Sequence, residues 1–484
     1  MYKNKRNKIP YDEEGVTQKV SDFKKRRKML MNEIYHNWGD FLIIHNTFDH
    51  DYVKERYFPH PIMRWLNLPK NLTFTLIIMI KNKNGKFKIS SKLWIDLQDD
   101  IDKIWHGQIF QNIEDAKEKF EINNIYIFNK EEEDKIKQKL IKHKDKKWFY
   151  LNISKKPDEH SGFEKFIRSF EPIILNPGRN LFTPTDIIDK LRVVKSPSEI
   201  KLIEEACQIS ANAHIKVLLN IKPGISENQL SNIFVSEILL NNCQKTAYPN
   251  IIGSGYNSTI LHHHPTNKIL EDGDMLLIDA GAEYEGYASD ISRTYPVSGM
   301  FTPEQTKIYN LVFDIQQQLI NNCKPGFNWN KLQALTILLI SKGLCELGLI
   351  KSSFQDCIKQ ETFLNFYMHG IGHWIGLDVH DCQSIPTTFN MDTDTDSNLD
   401  SNLDTKLLET PFIPGMTITI EPGIYIGNHL KSLNDPNLDQ NVLEKYLNIG
   451  VRIEDVILIT DQEPEILSKG IPKTIQEIEH FMNG

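Results

Sequence analysis

The stretch GDMLLIDAGAEYEGYASDISRTYPV, residues 273–297, places two aspartates at the inner ends of two strand-like runs. Asp279 ends the first run, Asp290 begins the second, and AGAEYEGYAS connects them. A four-residue turn over residues 283–286, with glycine supplying a positive φ, would set Asp279 directly across from Asp290. Opposed Cβ atoms lie about 4.5 to 5.5 Å apart, where two carboxylates repel unless a cation lies between them.

The alternative for this stretch is a register offset by one residue. That offset would direct the two aspartate side chains to opposite faces of the hairpin and leave both of them solvated. Taken alone, the motif supports a divalent metal site and a pair of solvated aspartates about equally. The choice therefore depends on other carboxylates in the chain.

Two further carboxylates favour the site. In GMTITIEPG, residues 415–423, apolar residues alternate with threonines, so Glu421 falls on the polar face where a strand ends. In GVRIEDVILIT, residues 450–460, Arg452 and Glu454 share the face opposite the apolar residues, at the start of a hydrophobic strand. Because a core sheet rarely places unpaired acids at its polar positions, four such carboxylates indicate a functional cluster.

The stretch FYMHGIGHWIGLDVHD, residues 366–381, contains three histidines among apolar residues. Glycines argue against a helix here, and an extended strand would keep His369 and His373 on one face, with His380 reached by a bend. A single histidine is more often structural, but three beside four carboxylates favour a site. An oxygen-rich set with an imidazole suits Mn²⁺, with Co²⁺ or Zn²⁺ as alternatives, and bridging carboxylates imply two divalent metal ions.

Bulk properties set the remaining limits. A chain of 484 residues with a formal charge of -8 predicts a two-domain protein with no general attraction for nucleic acid or membrane surfaces. The charged amino terminus lacks the apolar core of a signal peptide, and the apolar runs are too short to span a bilayer, so we expect a cytoplasmic protein. The six cysteines have no CxxC spacing and are expected to be buried thiols.

The pattern along the chain changes near residue 192. Residues 1–192 mix strand-like and helical runs and predict an α/β domain, whereas residues 193–484 alternate long helices with glycine-rich strands in an α+β pattern. Ser196, Pro197 and Glu199 form a capping box that opens a helix just after this boundary. An Asp/Asn-rich insertion at about 387–410 cannot bury an apolar face and predicts a disordered loop.

Five motifs in order, GSGYNSTILHH, DAGAEYEGYASDISRTYPV, MHGIGHWIGLDVHD, EPGIYI and GVRIEDVILIT, together resemble those of the pita-bread metallopeptidases. The resemblance is strong from about Pro197 to the carboxyl terminus. It is weaker over the first domain, which resembles the creatinase/prolidase N-terminal type. The resemblance therefore implies a pita-bread catalytic domain after the boundary.

The resemblance also implies roles for individual residues. Asp279 would bind one metal, Asp290 and Glu454 would bridge, and His373 with Glu421 would complete the second metal site. His262, His369 and His380 would line the substrate pocket, with Arg452 as its cationic group and Glu421 as the catalytic proton relay. Within LHHHP only His262 has the family's spacing, so His263 and His264 are predicted to be surface residues.

Within that family the motifs are most similar to those of the Xaa-Pro aminopeptidases. This implies a hydrolase that uses two metal ions to cut peptides whose second residue is proline. Prolidase, which cuts only Xaa-Pro dipeptides, is one alternative, and a non-catalytic pita-bread binding protein is another. Trp105 in IWHG resembles a residue that closes a neighbouring subunit's pocket, which implies a homo-oligomer, a dimer or a tetramer.

Overall fold

The computed structural model of the chain describes residues 20–36, 41–46, 61–69, 74–83, 86–95, 108–142, 148–152, 181–182, 184–383, 411–433 and 435–484. These residues divide into two compact units, one ending at Leu191 and one beginning at Arg192. The predicted disordered insertion at 387–410 and Trp105 lie outside the described residues. Among the described residues, no helix is both long and apolar enough to cross a membrane.

The first unit is built on one mixed sheet, in agreement with the predicted α/β pattern. Its strands are β1 (Phe41–Asn46), β2 (Phe74–Lys83), β3 (Lys86–Ile95), β4 (Ile125–Ile127), β5 (Trp148–Asn152) and β6 (Leu181–Phe182). They lie in the order β4-β3-β2-β1-β5-β6, with β1 parallel to β5 and antiparallel to β2. Leu42, Ile43 and Ile44 are all buried, as expected for a central strand covered on both faces.

The structure describes five helices in the part of the chain up to Arg192. They are α1 (Val20–His36), α2 (Pro61–Leu66), α3 (Ile113–Phe120), α4 (Lys130–Lys142) and α5 (Thr185–Arg192). Asn112 caps α3 by accepting hydrogen bonds from the backbone N–H groups of Glu114 and Asp115, at 2.9 and 3.0 Å.

The second unit contains four long helices, as the predicted alternation of long helices with glycine-rich strands requires. They are α6 (Pro197–Leu218), α7 (Glu227–Leu240), α8 (Pro303–Ile320) and α9 (Trp329–Glu346). The predicted capping box of Ser196 and Glu199 opens α6. Shorter helices follow at α10 (Phe354–Lys359), α11 (His429–Ser432), α12 (Gln440–Tyr446) and α13 (Ile475–Asn483).

The second unit contains four small sheets, and the candidate carboxylates lie at strand ends. Their strands are β7 (Lys245–Thr246), β8 (Ile251–Ser254), β9 (Met275–Asp279), β10 (Ala282–Tyr284), β11 (Tyr287–Ala288), β12 (Ser292–Pro296), β13 (Thr417–Ile420), β14 (Gly423–Ile426), β15 (Ile449–Arg452), β16 (Asp455–Leu458) and β17 (Glu465–Ile466). The sheet orders are β11-β10-β7, β12-β9-β8, β13-β16-β17 and β14-β15, and every registered pair is antiparallel. Their apolar side chains and those of the long helices share one hydrophobic core.

The hairpin of residues 273–297 has a different register from the predicted one. Tyr284 pairs with Tyr287 around a two-residue turn in which Glu285 and Gly286 both have positive φ, 50° and 84°. Asp279 therefore lies opposite Ser292, and the predicted direct opposition to Asp290 is wrong. The shift is two residues, so Asp290 becomes the diagonal neighbour of Asp279 on the same face, within reach of long or charged side chains.

The extended strand predicted across His369 and His373 is also wrong. Residues 366–383 form turns and bends, with one isolated bridge between Trp374 and Ile418. The segment is tied to β13 because Thr419 N–H donates to the His373 carbonyl at 2.9 Å and Glu421 N–H donates to the Ile371 carbonyl at 2.9 Å. These bonds place His373 beside the end of β13, next to Glu421, which directly follows the strand.

Gly372 explains why this contact is so close. A Cβ at this position would lie 2.1 Å from the carbonyl oxygen of Thr419, so any side chain would force the two backbones apart. The stretch of residues 450–460 shows a related detail, since it is divided between β15 and β16 and Glu454 lies at the break.

Candidate metal centre

The five residues predicted as metal ligands converge. Asp279 ends β9, Asp290 precedes β12, Glu421 follows β13, and Glu454 lies between β15 and β16. Ligand-type atoms of Asp290, His373 and Glu454 all lie within 4.8 Å of one another. The ends of separate strands and the loop that carries His373 therefore bring one imidazole and several carboxylates into a space of the size that a metal ion needs.

His373 faces two of the carboxylates. Its Nε2 lies 3.4 Å from Oδ2 of Asp290 and 3.7 Å from Oε1 of Glu421. Its Nδ1 lies 3.0 Å from the Trp374 carbonyl oxygen, which can only accept, so Nδ1 carries the hydrogen and donates. Nε2 therefore faces the carboxylates, which is the orientation that a metal-ligating histidine requires.

Tyr248 is a site residue that no sequence motif indicated. Its buried hydroxyl lies 2.5 Å from Oδ1 of Asp279 and 2.5 Å from Oδ1 of Asp290. A hydroxyl has one hydrogen and donates to one of these carboxylates at a time. Both aspartates are therefore held on one polar atom, although neither is opposite the other in the hairpin.

Arg452 lies against the cluster and is buried. Its guanidinium donates to Oδ2 of Asp279 at 2.7 Å, to the hydroxyl of Tyr425 at 2.9 Å and to Oγ of Ser292 at 3.0 Å. Ser292 in turn donates to Oε2 of Glu454 at 2.8 Å. Arg452 thus acts here as a counter-charge and a support for Asp279, and its predicted role as a cationic substrate contact stays a prediction.

Burial and mutual repulsion dominate the electrostatics of the acids. Burial, with the charge of Asp279, raises the pKa of Asp290 well above its usual value, and burial with the charge of Asp290 does the same for the pKa of Glu454. Burial and the charge of Glu454 raise the pKa of Glu421 to about 8. Burial would also raise the pKa of Asp279, but the Arg452 guanidinium and the Tyr248 hydroxyl lower it overall.

One buried oxygen of Glu454 has the surroundings expected of a cation ligand. Oε1 of this buried side chain has no hydrogen-bond partner among the described residues. A buried carboxylate oxygen without a donor is costly in a stable fold. The cluster has four carboxylates for one guanidinium, and its geometry and donor chemistry fit divalent metal ions bound among them.

The other predicted histidines lie around this cluster. His369 has both ring nitrogens engaged, with Nδ1 2.8 Å from the Gly370 carbonyl oxygen and Nε2 2.9 Å from the Tyr425 hydroxyl, and burial followed by Arg452 lowers its pKa to about 4. The His380 ring is exposed and lies 4.3 Å from the His373 ring, and that neighbour lowers the pKa of His380 to about 4. His262 is exposed.

The prediction that His263 is a surface residue is wrong. Its side chain is only 12% exposed, and its Nε2 lies 3.0 Å from Oε2 of Glu227. Glu227 is fully buried and also accepts from the backbone and hydroxyl of Thr266, at 3.0 and 2.8 Å. His263 therefore anchors the loop that carries His262, whereas His264 is exposed as predicted.

Comparison with known proteins agrees with this arrangement. A model of metallopeptidase family M24 matches residues 201–461, more than half of the chain. The chain is similar to the Xaa-Pro aminopeptidase of Haemophilus influenzae, with 37% identity over 297 residues, 61% of this chain and 62% of that protein. It is 35% identical to the Xaa-Pro aminopeptidase of Escherichia coli over 310 residues, 63% of this chain and 64% of that protein.

The chain thus covers less than two thirds of the length of these curated relatives. Among solved structures, it is similar to aminopeptidase P from Escherichia coli with the inhibitor Pro-Leu, with a TM-score of 0.75 and 26% identity. That match covers 96% of this chain and 98% of the other. The pita-bread fold expected from the motifs is thereby confirmed.

Proposed function

This chain belongs to metallopeptidase family M24, and from that premise we propose that it is a dinuclear-metal Xaa-Pro aminopeptidase. It would hydrolyse the bond between the first residue of a peptide and a proline in second position. The observation that carries the proposal is the buried excess of carboxylates, in which Glu454 Oε1 has no donor among the described residues. The names of the relatives, Xaa-Pro aminopeptidase and aminopeptidase P, support the specificity.

Five residues would hold the metal ions. Asp279 would bind one ion, Asp290 and Glu454 would bridge, and His373 with Glu421 would complete the other. The oxygen-rich donor set supports Mn²⁺, with Co²⁺ or Zn²⁺ as alternatives. Divalent ions bound there would supply polarisation of the scissile carbonyl and a water of lowered pKa.

Glu421 is suited to move a proton. Burial and Glu454 raise the pKa of its carboxyl to about 8 without a bound cation, and a neighbouring positive charge would lower it. A carboxylate beside the attacking water can take its proton and pass it towards the leaving proline nitrogen. Glu421 Oε1 lies 3.7 Å from His373 Nε2, so this proton holder is part of the cluster itself.

His262, His369 and His380 would contact the peptide. His262 and His380 are exposed, which leaves their rings accessible to a substrate. Both ring nitrogens of His369 already have protein partners, so this ring would contact the peptide by packing and not by a hydrogen bond. Neutral imidazoles can donate to the scissile carbonyl without adding a fixed charge to the site.

A dedicated enzyme for this bond has a chemical reason. The nitrogen of proline has no N–H and forms a tertiary amide, so a peptidase that binds the leaving residue through an amide hydrogen cannot use that contact. Prolidase is the alternative within the same chemistry, and only the permitted length of the peptide separates the two activities.

The experiment is a peptide-length series with the purified protein and Mn²⁺. We expect hydrolysis of Arg-Pro-Pro and longer peptides, none of Arg-Ala-Pro, and loss of activity in Asp290→Ala. Asp272→Ala is the matched control, since Asp272 is an exposed aspartate of the same hairpin region. Activity confined to Xaa-Pro dipeptides would select prolidase, and full activity of Asp290→Ala would contradict both assignments.

Domain organisation, assembly and location complete the proposal. We assign residues 1–192 to a creatinase/prolidase-type domain and residues 193–484 to the catalytic domain, and the division between Leu191 and Arg192 supports this. The homo-oligomer implied by Trp105 and the cytoplasmic location stay predictions. Size-exclusion chromatography with light scattering would measure the number of subunits.

A further inference from the structure

One buried amide connects the two strand breaks that carry Glu421 and Glu454. Gln316 lies on α8 and is fully buried. Its Nε2 donates to the Ile420 carbonyl at 3.4 Å, to the Ile453 carbonyl at 3.2 Å and to Oδ2 of Asp455 at 3.0 Å. Ile420 directly precedes Glu421, and Ile453 directly precedes Glu454, so this one side chain contacts the backbone next to both carboxylates.

The orientation of the Gln316 amide is determined by its surroundings. Its Oε1 accepts a hydrogen bond from Nε2 of Gln317 at 3.2 Å, which leaves its own Nε2 directed at the strands. The two hydrogens of Nε2 are shared among three acceptors, so neither can be lost without leaving a buried carbonyl or carboxylate short of a donor. Moving either strand end therefore disturbs the contact to the other.

Asp455 provides a fixed reference for this amide. Oδ1 of Asp455 accepts from Arg293 at 2.7 Å and from Ser468 at 2.7 Å, and Oδ2 accepts from Lys473 at 2.8 Å. Arg293 also donates to the Glu454 carbonyl at 2.6 Å. The backbone around Glu454 is thus held from both sides, and Gln316 is the element that extends this support to the end of β13.

We propose that Gln316 is a positioning residue that sets the spacing between the Glu421 and Glu454 carboxylates. The inference rests on the proposed function, because the spacing matters only if these carboxylates hold metal ions. Gln316 would act through the backbone carbonyls next to the two ligands, and loss of a group that orients ligating carboxylates typically weakens metal affinity about 10- to 100-fold. A purely structural role would instead affect folding and leave metal affinity unchanged.

The test compares Gln316→Leu with Gln318→Leu in the full chain. Gln318 is exposed on the same helix, and its amide donates only within that helix, to the Asp314 carbonyl at 3.3 Å. Titration calorimetry with Mn²⁺ should show affinity about 10- to 100-fold weaker for Gln316→Leu and unchanged for Gln318→Leu. With Arg-Pro-Pro at saturating Mn²⁺, kcat of Gln316→Leu should fall while KM stays within about twofold, because the histidines proposed to contact peptide lie on other segments.

Wild-type affinity for Mn²⁺ in Gln316→Leu would overturn the inference, even if its melting temperature fell. If circular dichroism shows that Gln316→Leu does not fold, Gln316→Asn decides instead, because it keeps a buried amide that is too short to contact both strand ends. The same loss of Mn²⁺ affinity is then expected, and unchanged affinity would again overturn the inference. A wild-type protein that binds no Mn²⁺ would refute the proposed function itself, which separates the two failures.

Discussion

Glu454 and Asp455 are adjacent in sequence and both are buried, yet their surroundings are opposite. Asp455 accepts hydrogen bonds from Arg293, Lys473 and Ser468. Burial raises the pKa of Asp455, but the positive charges of Arg293 and Lys473 outweigh burial and hold this pKa below the usual range. Glu454 accepts one bond from Ser292 and has an oxygen without a donor among the described residues, and burial with the charge of Asp290 raises its pKa well above the usual range.

A structural buried acid differs from a functional one in whether cationic side chains of the protein contact it. A second buried acid, Asp381, follows the pattern of Asp455, since Arg192 and Lys195 both contact it and its pKa is lowered. A buried acid whose cations come from the chain is compensated within the fold, whereas an excess of buried acids must take up protons or bind cations from outside. The metal site is where the protein leaves its own negative charge uncompensated.

Glu454→Gln should have the largest effect on activity. It removes a proposed bridging carboxylate while keeping its size, so we expect activity on Arg-Pro-Pro to fall by about 10³-fold or more. The metal-free protein should be as stable as wild type or more stable, because one repelling charge is gone. Peptide assays and thermal melts in EDTA measure the two effects, with the exposed Glu463→Gln as control. Retained activity would contradict a bridging role for Glu454.

Asp455→Asn should show the reverse behaviour. It leaves Arg293 and Lys473 buried or half-buried without their partner, so the free energy of unfolding should fall by about 3 to 5 kcal/mol. Urea denaturation in EDTA measures this, and the exposed Asp461→Asn should match wild type. Equal stability of Asp455→Asn and wild type would show that pairing does not distinguish these two neighbours.

His214 shows a third way to bury a titratable group, because its side chain stays neutral. Its Nε2 lies 3.0 Å from the Ala280 carbonyl oxygen, and burial lowers its pKa from 6.5 to about 4. Between pH 4 and pH 6.5 the unfolded chain therefore binds more protons than the folded chain, so the free energy of unfolding rises with pH in this range. The stabilisation that the neutral His214 ring provides is complete above pH 6.5 and is lost as the pH falls towards 4. The difference corresponds to about 3 kcal/mol in the free energy of unfolding.

His214→Gln keeps a donor near the Ala280 carbonyl and removes the titration. Measured by urea denaturation in EDTA between pH 7 and pH 4, wild type should lose about 3 kcal/mol more than the variant. EDTA is needed in both series because the metal ligands also take up protons in acid. Parallel pH profiles for the two proteins would contradict the assignment of a neutral buried imidazole.

Local patterns in the sequence predicted most of the carboxylates that the structure brings together. Alternation along β13 placed Glu421 at a strand end, and the capping box of Ser196 and Glu199 marked the first helix of the second unit. The hairpin register could not be predicted, because a four-residue and a two-residue turn both use the positive φ of Gly286. The difference lies in Glu285, which also adopts a positive φ that a glutamate rarely takes.

Contacts across long distances in the chain could not be predicted either. Tyr248 lies 31 residues before Asp279, and Gln316 lies 139 residues before Asp455, and neither falls in a motif. The role of His263 depends on Glu227 at the start of another helix. Residues that support a site gain their function from tertiary packing, so a pattern within one segment carries no signal for them.

The central claim, that the uncompensated carboxylates exist to bind cations, is tested most directly by metal stoichiometry. Wild type and Glu454→Gln are reconstituted with Mn²⁺ at neutral pH, dialysed against metal-free buffer and measured by inductively coupled plasma mass spectrometry. We expect about two bound Mn²⁺ ions per wild-type chain and clearly fewer bound ions per Glu454→Gln chain. A wild-type chain that retains no Mn²⁺, or equal retention by both proteins, would contradict it.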